Sequence, residues 1–275
     1  MMVFDRGAGA PDYLPCRYGT SRAVFRGPER DLSRPYVAML GGSPTFGKYV
    51  ATPYPALVEQ ALGQPVANLG GLNAGPDFYL SDPATLAVAA GARVAVVQVT
   101  GAEAMTNPLY TVHSRRNDRF LMATDALRAL YPAVDLADIH FTRHLLLVLQ
   151  RADADRFRTV LRVLKANWLD RMRRLLARLP RQRLLLWLAD ASAPETAETL
   201  DPAFGPLLID RQMLAALQSD TAGVIQAVSG GAARADRTAG LLFPETEALQ
   251  ARCEPGLALH LEAARLLKPA LAALF

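Results

Sequence analysis

Tyr36-Val37-Ala38-Met39-Leu40-Gly41-Gly42-Ser43-Pro44-Thr45-Phe46-Gly47-Lys48 reads as a buried strand that turns through two glycines into a short polar loop. An apolar run broken at once by Gly-Gly-Ser is how a parallel α/β sheet presents reactive groups at the carboxyl end of a strand. Two chemistries fit such a turn. One is a serine nucleophile at Ser43. The other is a phosphate-binding loop, because Gly42 to Lys48 keeps the Gly-x-x-x-x-Gly-Lys spacing. The flanking residues favour the serine. A phosphate loop needs Ser or Thr after its lysine to hold Mg²⁺, and Tyr49 stands there. Pro44 removes one N–H that would face a phosphate, and Pro53 and Pro55 interrupt the helix that should follow. Pro44 also argues against the Gly-x-Ser-x-Gly elbow, in which the residue after the serine donates to the oxyanion. A serine nucleophile here must rely on its own N–H and on donors from elsewhere.

The same pattern recurs downstream. Residues 65–69 form a short apolar run that breaks into Gly70-Gly71-Leu72-Asn73-Ala74-Gly75, a source of such donors. Further strands are predicted over 93–99, 183–189 and 222–228. Helical stretches are predicted over 54–62, 83–90, 120–130, 142–150, 155–179, 210–218 and 259–273. This alternation predicts an α/β three-layer sandwich, a roughly five-stranded parallel sheet with helices on both faces. Residues 1–34, rich in Gly, Pro and Arg, read as an N-terminal arm packed on a single domain spanning 35–275. A loose Pro/Ala stretch covers 190–206.

Composition narrows the class. A chain of 275 residues with 51% hydrophobic content can bury a sizeable core as one domain. A net charge of +4 is too small to argue for nucleic acid, so no nucleic-acid partner is expected. Cys16 and Cys253 have neither a disulfide framework nor a metal spacing, which allows a reducing compartment. The start, Met1 to Gly7, carries an early acid and no apolar core, so no signal peptide is expected. The apolar runs are too short to span a bilayer. The chain reads as cytoplasmic, with no cofactor and no metal expected; its oligomeric state is not legible.

A first strand ending Gly-Gly-Ser-x-x-x-Gly, a second ending Asn-Leu-Gly-x-x-Asn-Ala-Gly and a late His260 resemble the SGNH (GDSL-type) hydrolases. The resemblance touches most of the chain in short patches. It implies a flavodoxin-like sheet and a serine esterase or acyl transferase, with Ser43 as nucleophile, His260 as general base and Gly70 as an oxyanion donor. Two blocks depart from the pattern. The family's Gly-x-Asn falls on Gly101-Ala102-Glu103, so Asn73 or Asn107 would have to supply the amide. The acid three residues before the histidine falls on Leu257; Glu254 or Asp236 would replace it, or a Ser–His pair would act with a carbonyl. Such departures suit a weakened enzyme and a binding-only relative equally. A nucleotide- or sulfonucleotide-dependent transferase built on residues 42–48 remains the reading from another class.

Tyr110 to Phe120 is the second unusual cluster, carrying His113, Arg115, Arg116 and Arg119 in a predicted loop after the third strand. Several cations in one loop can clamp an anionic or hydroxylated substrate, with Asp118 fixing an arginine; the same groups can equally pair among themselves. A small-molecule or glycan ester is the expected partner. The helix over 155–179 has an apolar face of Leu161, Leu164, Trp168, Met172, Leu175 and Leu179 and a basic opposite face. A core helix with a solvated face is favoured over one that contacts a membrane surface. His140 and His144 are four apart but lack a third ligand, so a core or capping role is favoured over a metal site.

Overall fold

The computed structural model describes residues 9–200 and 205–275; the first eight residues of the expected arm, and 201–204 within the Pro/Ala stretch, lie outside them. A two-stranded hairpin, β1 (Pro15–Cys16) and β2 (Phe25–Arg26), precedes the main sheet. The sheet strands are β3 (Val37–Leu40), β4 (Val66–Asn68) and β5 (Val94–Gln98), then, after a second hairpin of β6 (Tyr110–His113) and β7 (Arg116–Ala123), β8 (Arg183–Ala189) and β9 (Gly223–Val228). Between them lie α1 (Ser43–Phe46), α2 (Tyr54–Leu62), α3 (Pro76–Leu80), α4 (Pro83–Ala90), α5 (Asp125–Leu130), α6 (Thr142–Ala152), α7 (Ala154–Leu176) and α8 (Arg211–Ala215). The chain closes with α9 (Gly231–Ala235), α10 (Ala248–Ala251) and α11 (Leu257–Ala272).

Five strands pair in parallel in the order β4-β3-β5-β8-β9. Ala38 of β3 lies opposite Ala67 of β4 and Ala95 of β5. Both faces of the sheet are covered, so the central strands β3, β5 and β8 are predominantly apolar rather than alternating. Side chains of a strand point to opposite faces in turn. Ala38, Leu40, Ala95, Val97, Leu185 and Trp187 pack into the core completed by α3, α4, α6 and α7. Val37, Met39, Val96, Leu184 and Leu186 pack into the other, beneath α2 and α11. After β3 the chain crosses to β4 at the edge and then returns to β5 on the far side of β3. The crevice at such a reversal is where α/β sheets place ligands. Ser43 follows β3 and Glu103 follows β5, so both flank it.

The described part of the arm is anchored from within. Arg26, buried, donates to Gly47 O (2.6 Å) and Ala51 O (2.7 Å), and its guanidinium lies 5.2 Å from the Tyr13 ring centroid. Phe25 and Tyr18 join the core.

One expected helix is corrected. Residues 116–123 form β7, and α5 begins only at Asp125, capped by Thr124 Oγ1. Asn117, Phe120 and Ala123 point inward while their neighbours face out, and the strand pairs with β6 rather than coiling. The basic cluster is therefore an antiparallel hairpin, not a loop. The long helix α7 buries Leu161, Leu164, Trp168, Met172 and Leu175 as its periodicity predicts. On its basic face Lys165 pairs with Asp210 (2.6 Å), Arg171 with Asp77 (3.1 Å) and Arg174 with Asp170 (3.0 Å). Among the described residues no helix is long and apolar enough to cross a membrane.

Candidate active site

Ser43 opens α1 directly after the turn out of β3. Proline fits the first helical turn, where its missing N–H would find no partner anyway, so Pro44 starts the helix that it would break elsewhere. Gly47, in the left-handed region at φ 81°, ends the helix after one turn, its N–H returning to Ser43 O at 2.9 Å. Gly42 N–H and Thr45 Oγ1 both donate to Gln98 Oε1, at 3.0 and 2.7 Å, which ties α1 to the end of β5.

The serine hydroxyl is held from a second loop. Ser43 Oγ donates to Asn73 Oδ1 and accepts from the Asn73 backbone N–H, both at 3.0 Å. Asn73 has φ 55°, a left-handed conformation that asparagine tolerates better than most side chains. Its Nδ2 donates to Asp118 Oδ2 at 3.1 Å. The hairpin supports this loop: Asn117, fully buried, accepts from Gly75 N–H (2.7 Å) and Phe78 N–H (3.2 Å), while its own N–H donates to Asn73 O at 3.0 Å.

Ser43 and Asn73 open into a cavity of about 460 Å³, whose walls also carry Glu103, Asp118, Arg143 and Glu254. Glu254 shares the cavity wall with Ser43, whose proton goes to Asn73 Oδ1; burial pushes the Glu254 carboxyl up to about 7, against the opposing pulls of Lys48's charge and of the Ser43 hydroxyl. Glu103 is likewise pushed up to about 7, chiefly by burial; a bond from its own backbone N–H and the charge of Arg143 oppose this, and Asp118 adds to it. Two carboxyls that release their protons near neutrality thus share one cavity with a buried, oriented hydroxyl. Perturbed acids gathered in a cleft mark candidate chemistry.

The structure does not join Ser43 to His260. The histidine is fully buried between α11 and α2, its Nδ1 accepting from Tyr54 N–H at 3.2 Å and its ring stacked on Tyr54 at 5.8 Å. Burial, with the charge of Arg26, pushes its pKa down to about 3, and Nε2 is enclosed without a partner. It is absent from the cavity wall, which Glu254, six residues earlier in the chain, occupies instead. Asp236 bonds Thr238 (3.3 Å), not the histidine.

The other expected site residues divide. Asn73 is at the site. Gly70 is not a free donor: its N–H goes to Asn68 Oδ1 at 2.9 Å, and the residue is glycine because a Cβ there would run into the backbone of Thr45 and Phe46. Asn107 is buried as a turn former, accepting from Leu109 N–H (2.9 Å) and Tyr110 N–H (3.2 Å) and donating to Met105 O (3.0 Å). His113 Nδ1 accepts from the Arg115 and Arg116 N–H groups at 3.2 Å, closing the hairpin turn. Arg115 borders a separate hollow with Thr20 and Arg22, and Arg119 stacks on Phe141 at 5.6 Å. Arg116 reaches the site only through Asp118, at 3.4 Å. Lys48 of the glycine-lysine spacing pairs with Glu247 (3.7 Å) and lies 4.4 Å from the centre of the Tyr49 ring, outside the cavity wall. His140 and His144 are exposed, and among the described residues no three His, Cys, Asp or Glu side chains gather to hold a metal.

These features define an α/β protein with a serine-centred, carboxyl-rich crevice at the strand-order reversal of a parallel sheet. The chain belongs to the family described as a domain of unknown function (DUF6473), whose model matches residues 1–275. Comparison with curated proteins returns no match.

Proposed function

We propose that the protein is a serine-dependent ester hydrolase or acyl transferase of SGNH type, with Ser43 as nucleophile and Glu254 as the proton acceptor. The observation that carries this reading is the Ser43 hydroxyl, oriented by Asn73 on a cavity wall that it shares with Glu254. Glu254 takes the place in which the resemblance had put His260. A carboxylate whose pKa is raised toward neutrality is a better base than an ordinary glutamate and stays ionised above about 7.

The step balances on these groups. Ser43 Oγ forms a bond to the ester carbonyl carbon while its proton moves to Glu254, and the carbonyl π pair moves onto the oxygen. The Ser43 N–H and the Nδ2 hydrogen of Asn73 that Asp118 does not take would donate to that oxyanion. Collapse breaks the bond to the alcohol, which leaves with the proton from Glu254. Water, or a sugar hydroxyl in the transferase case, then attacks the acyl-serine with Glu254 again accepting the proton, and the second collapse breaks the bond from the acyl carbon to Ser43 Oγ, which takes the proton back from Glu254. Arg252 on the wall, beside Arg143 and an Arg237 paired with Asp190, favours an anionic or carbohydrate-linked ester. The two unpaired cysteines, Cys16 and Cys253, favour the cytoplasm as its location.

Ser43→Ala should abolish turnover of short-chain and carbohydrate esters and labelling by an organophosphonate. Glu254→Gln should lower kcat by about 10²–10⁴, the usual worth of a general base. Wild-type turnover by Ser43→Ala would end the proposal. One observation favours a second reading: the histidine of the expected pair is shut inside a helix interface. A binding-only SGNH-like module for an anionic glycan would show no phosphonate label on Ser43 and would still bind its ligand.

A further inference from the structure

Glu103 has a use that the serine mechanism above leaves unassigned. Its Oε2 is enclosed and has no hydrogen-bond partner among the described residues, yet the residue borders the same cavity as Ser43. The carboxyl folds back over Gly101, where a Cβ would collide with it, so the glycine keeps a cradle for this side chain. Two charged groups act on it, Arg143 from α6 and Asp118 from β7, while the Tyr110 phenol of β6 donates to the residue's backbone carbonyl at 2.9 Å. An ionised carboxylate here would leave one oxygen buried without a donor and Asp118's charge nearby; the neutral acid removes that charge and has a proton to give.

We propose that Glu103 is a hydrogen-bond donor to the substrate's carbonyl oxygen, the carboxylic acid of the cavity wall completing the oxyanion site beside Ser43. This rests on the serine reading and adds to it the group that meets the developing charge. A neutral acid aimed at an oxyanion stabilises it without carrying a charge of its own. The two glutamates then have opposite duties. Glu254 works ionised and Glu103 works protonated, so the rate rises with pH as Glu254 ionises and falls as Glu103 does. With both near 7, the active window is narrow and centred close to neutrality.

The test is the pH-dependent rate at which an organophosphonate labels Ser43 in the full-length protein, followed with p-nitrophenyl acetate turnover. The phosphoryl oxygen occupies the place of the oxyanion, so labelling reads the donor directly. Glu103→Ala should slow labelling by about 10²–10³, as the loss of one oxyanion donor does elsewhere. Glu103→Gln keeps an N–H donor and the side chain's shape; it should label within about tenfold of wild type and lose the fall on the alkaline side. Of the infrared carbonyl bands of protonated acids at pH 6, the component that vanishes in Glu103→Gln but survives in Glu254→Gln should shift once Ser43 is labelled. Label on Ser43 at the wild-type rate and pH profile in Glu103→Ala would overturn the inference while leaving the serine reading intact. An alkaline fall that survives in Glu103→Gln would do the same. Absence of any label on wild-type Ser43 would remove the serine reading and this inference with it.

Discussion

Asn73 gives the Ser43 hydroxyl one orientation by accepting from it with Oδ1 and donating to it with its backbone N–H. Substitution separates the side chain's role from that of the left-handed backbone. Asn73→Gly keeps the backbone donor and accepts the left-handed φ of 55° freely; Asn73→Ala keeps the donor but strains the backbone by about 1 kcal/mol. Both should slow phosphonate labelling of Ser43, whereas only the alanine variant should lower the thermal midpoint clearly. Equal midpoints would show that the left-handed backbone is not what the asparagine serves. His260 gives the opposite pairing of effects. Its ring is fully buried against Tyr54 and bonds a backbone N–H rather than the serine. His260→Ala should cost about 2–4 kcal/mol of stability, the range for truncating a large core side chain, and leave the labelling rate of the folded fraction unchanged. A labelling rate that collapses in a well-folded His260→Ala protein would restore the histidine to the chemistry.

The unit that presents the serine is a strand, a one-turn helix and the loop that crosses behind it. Gly70 passes so close to Thr45 and Phe46 that Gly70→Ala must push α1 outward. Overpacking of this kind costs about 1–3 kcal/mol. Because α1 carries Ser43 on its first residue, the same variant should lose both thermal stability and labelling, measured on one sample. Loss of stability alone would mean that α1 and the Asn73 loop move together. The elements differ in how far the chain alone discloses them. All five sheet strands were legible: burial on both faces makes β3, β5 and β8 nearly continuous apolar runs, as in Leu184 to Ala189, and the edge strands β4 and β9 are short Val- and Ala-bearing runs bounded by polar residues and glycine. The hairpin was not, since its inward positions include the polar Asn117, which breaks the alternation between Arg116 and Phe120. Ser43 and Asn73 were legible from strand ends that break into glycines. Glu254 was noted only as support for His260, because a histidine is the habitual partner of a serine. The helix pattern held the correction: His260 shares its face with Ala263, Ala264 and Leu267, all buried, so its ring points into the core.

At the scale of the whole molecule, three buried ionisable groups couple stability to pH in opposing senses. Glu103 and Glu254 are raised by burial from 4.5 to about 7, so the folded chain binds more protons than the unfolded chain between those values. Their contribution is present at low pH and is lost as pH rises through the folded pKa. His260 is lowered by burial from 6.5 to about 3, so there the unfolded chain holds the extra proton. Its contribution is present above the unfolded pKa and is lost as pH falls. Between 4.5 and 6.5 the two glutamates outnumber the histidine, and above 6.5 they act alone. Together these three groups favour the folded state more at pH 5 than at pH 8. The double variant Glu103→Gln, Glu254→Gln removes both raised acids while keeping their shape. Its thermal midpoint, measured from pH 5 to pH 8 beside the wild type, should gain on the wild type steadily as pH rises. A midpoint difference that stays constant across that range would mean that the two carboxyls are already ionised at pH 5. Glu103 would then be a charged group at the serine, and the donor role assigned to it would fail with the stability profile.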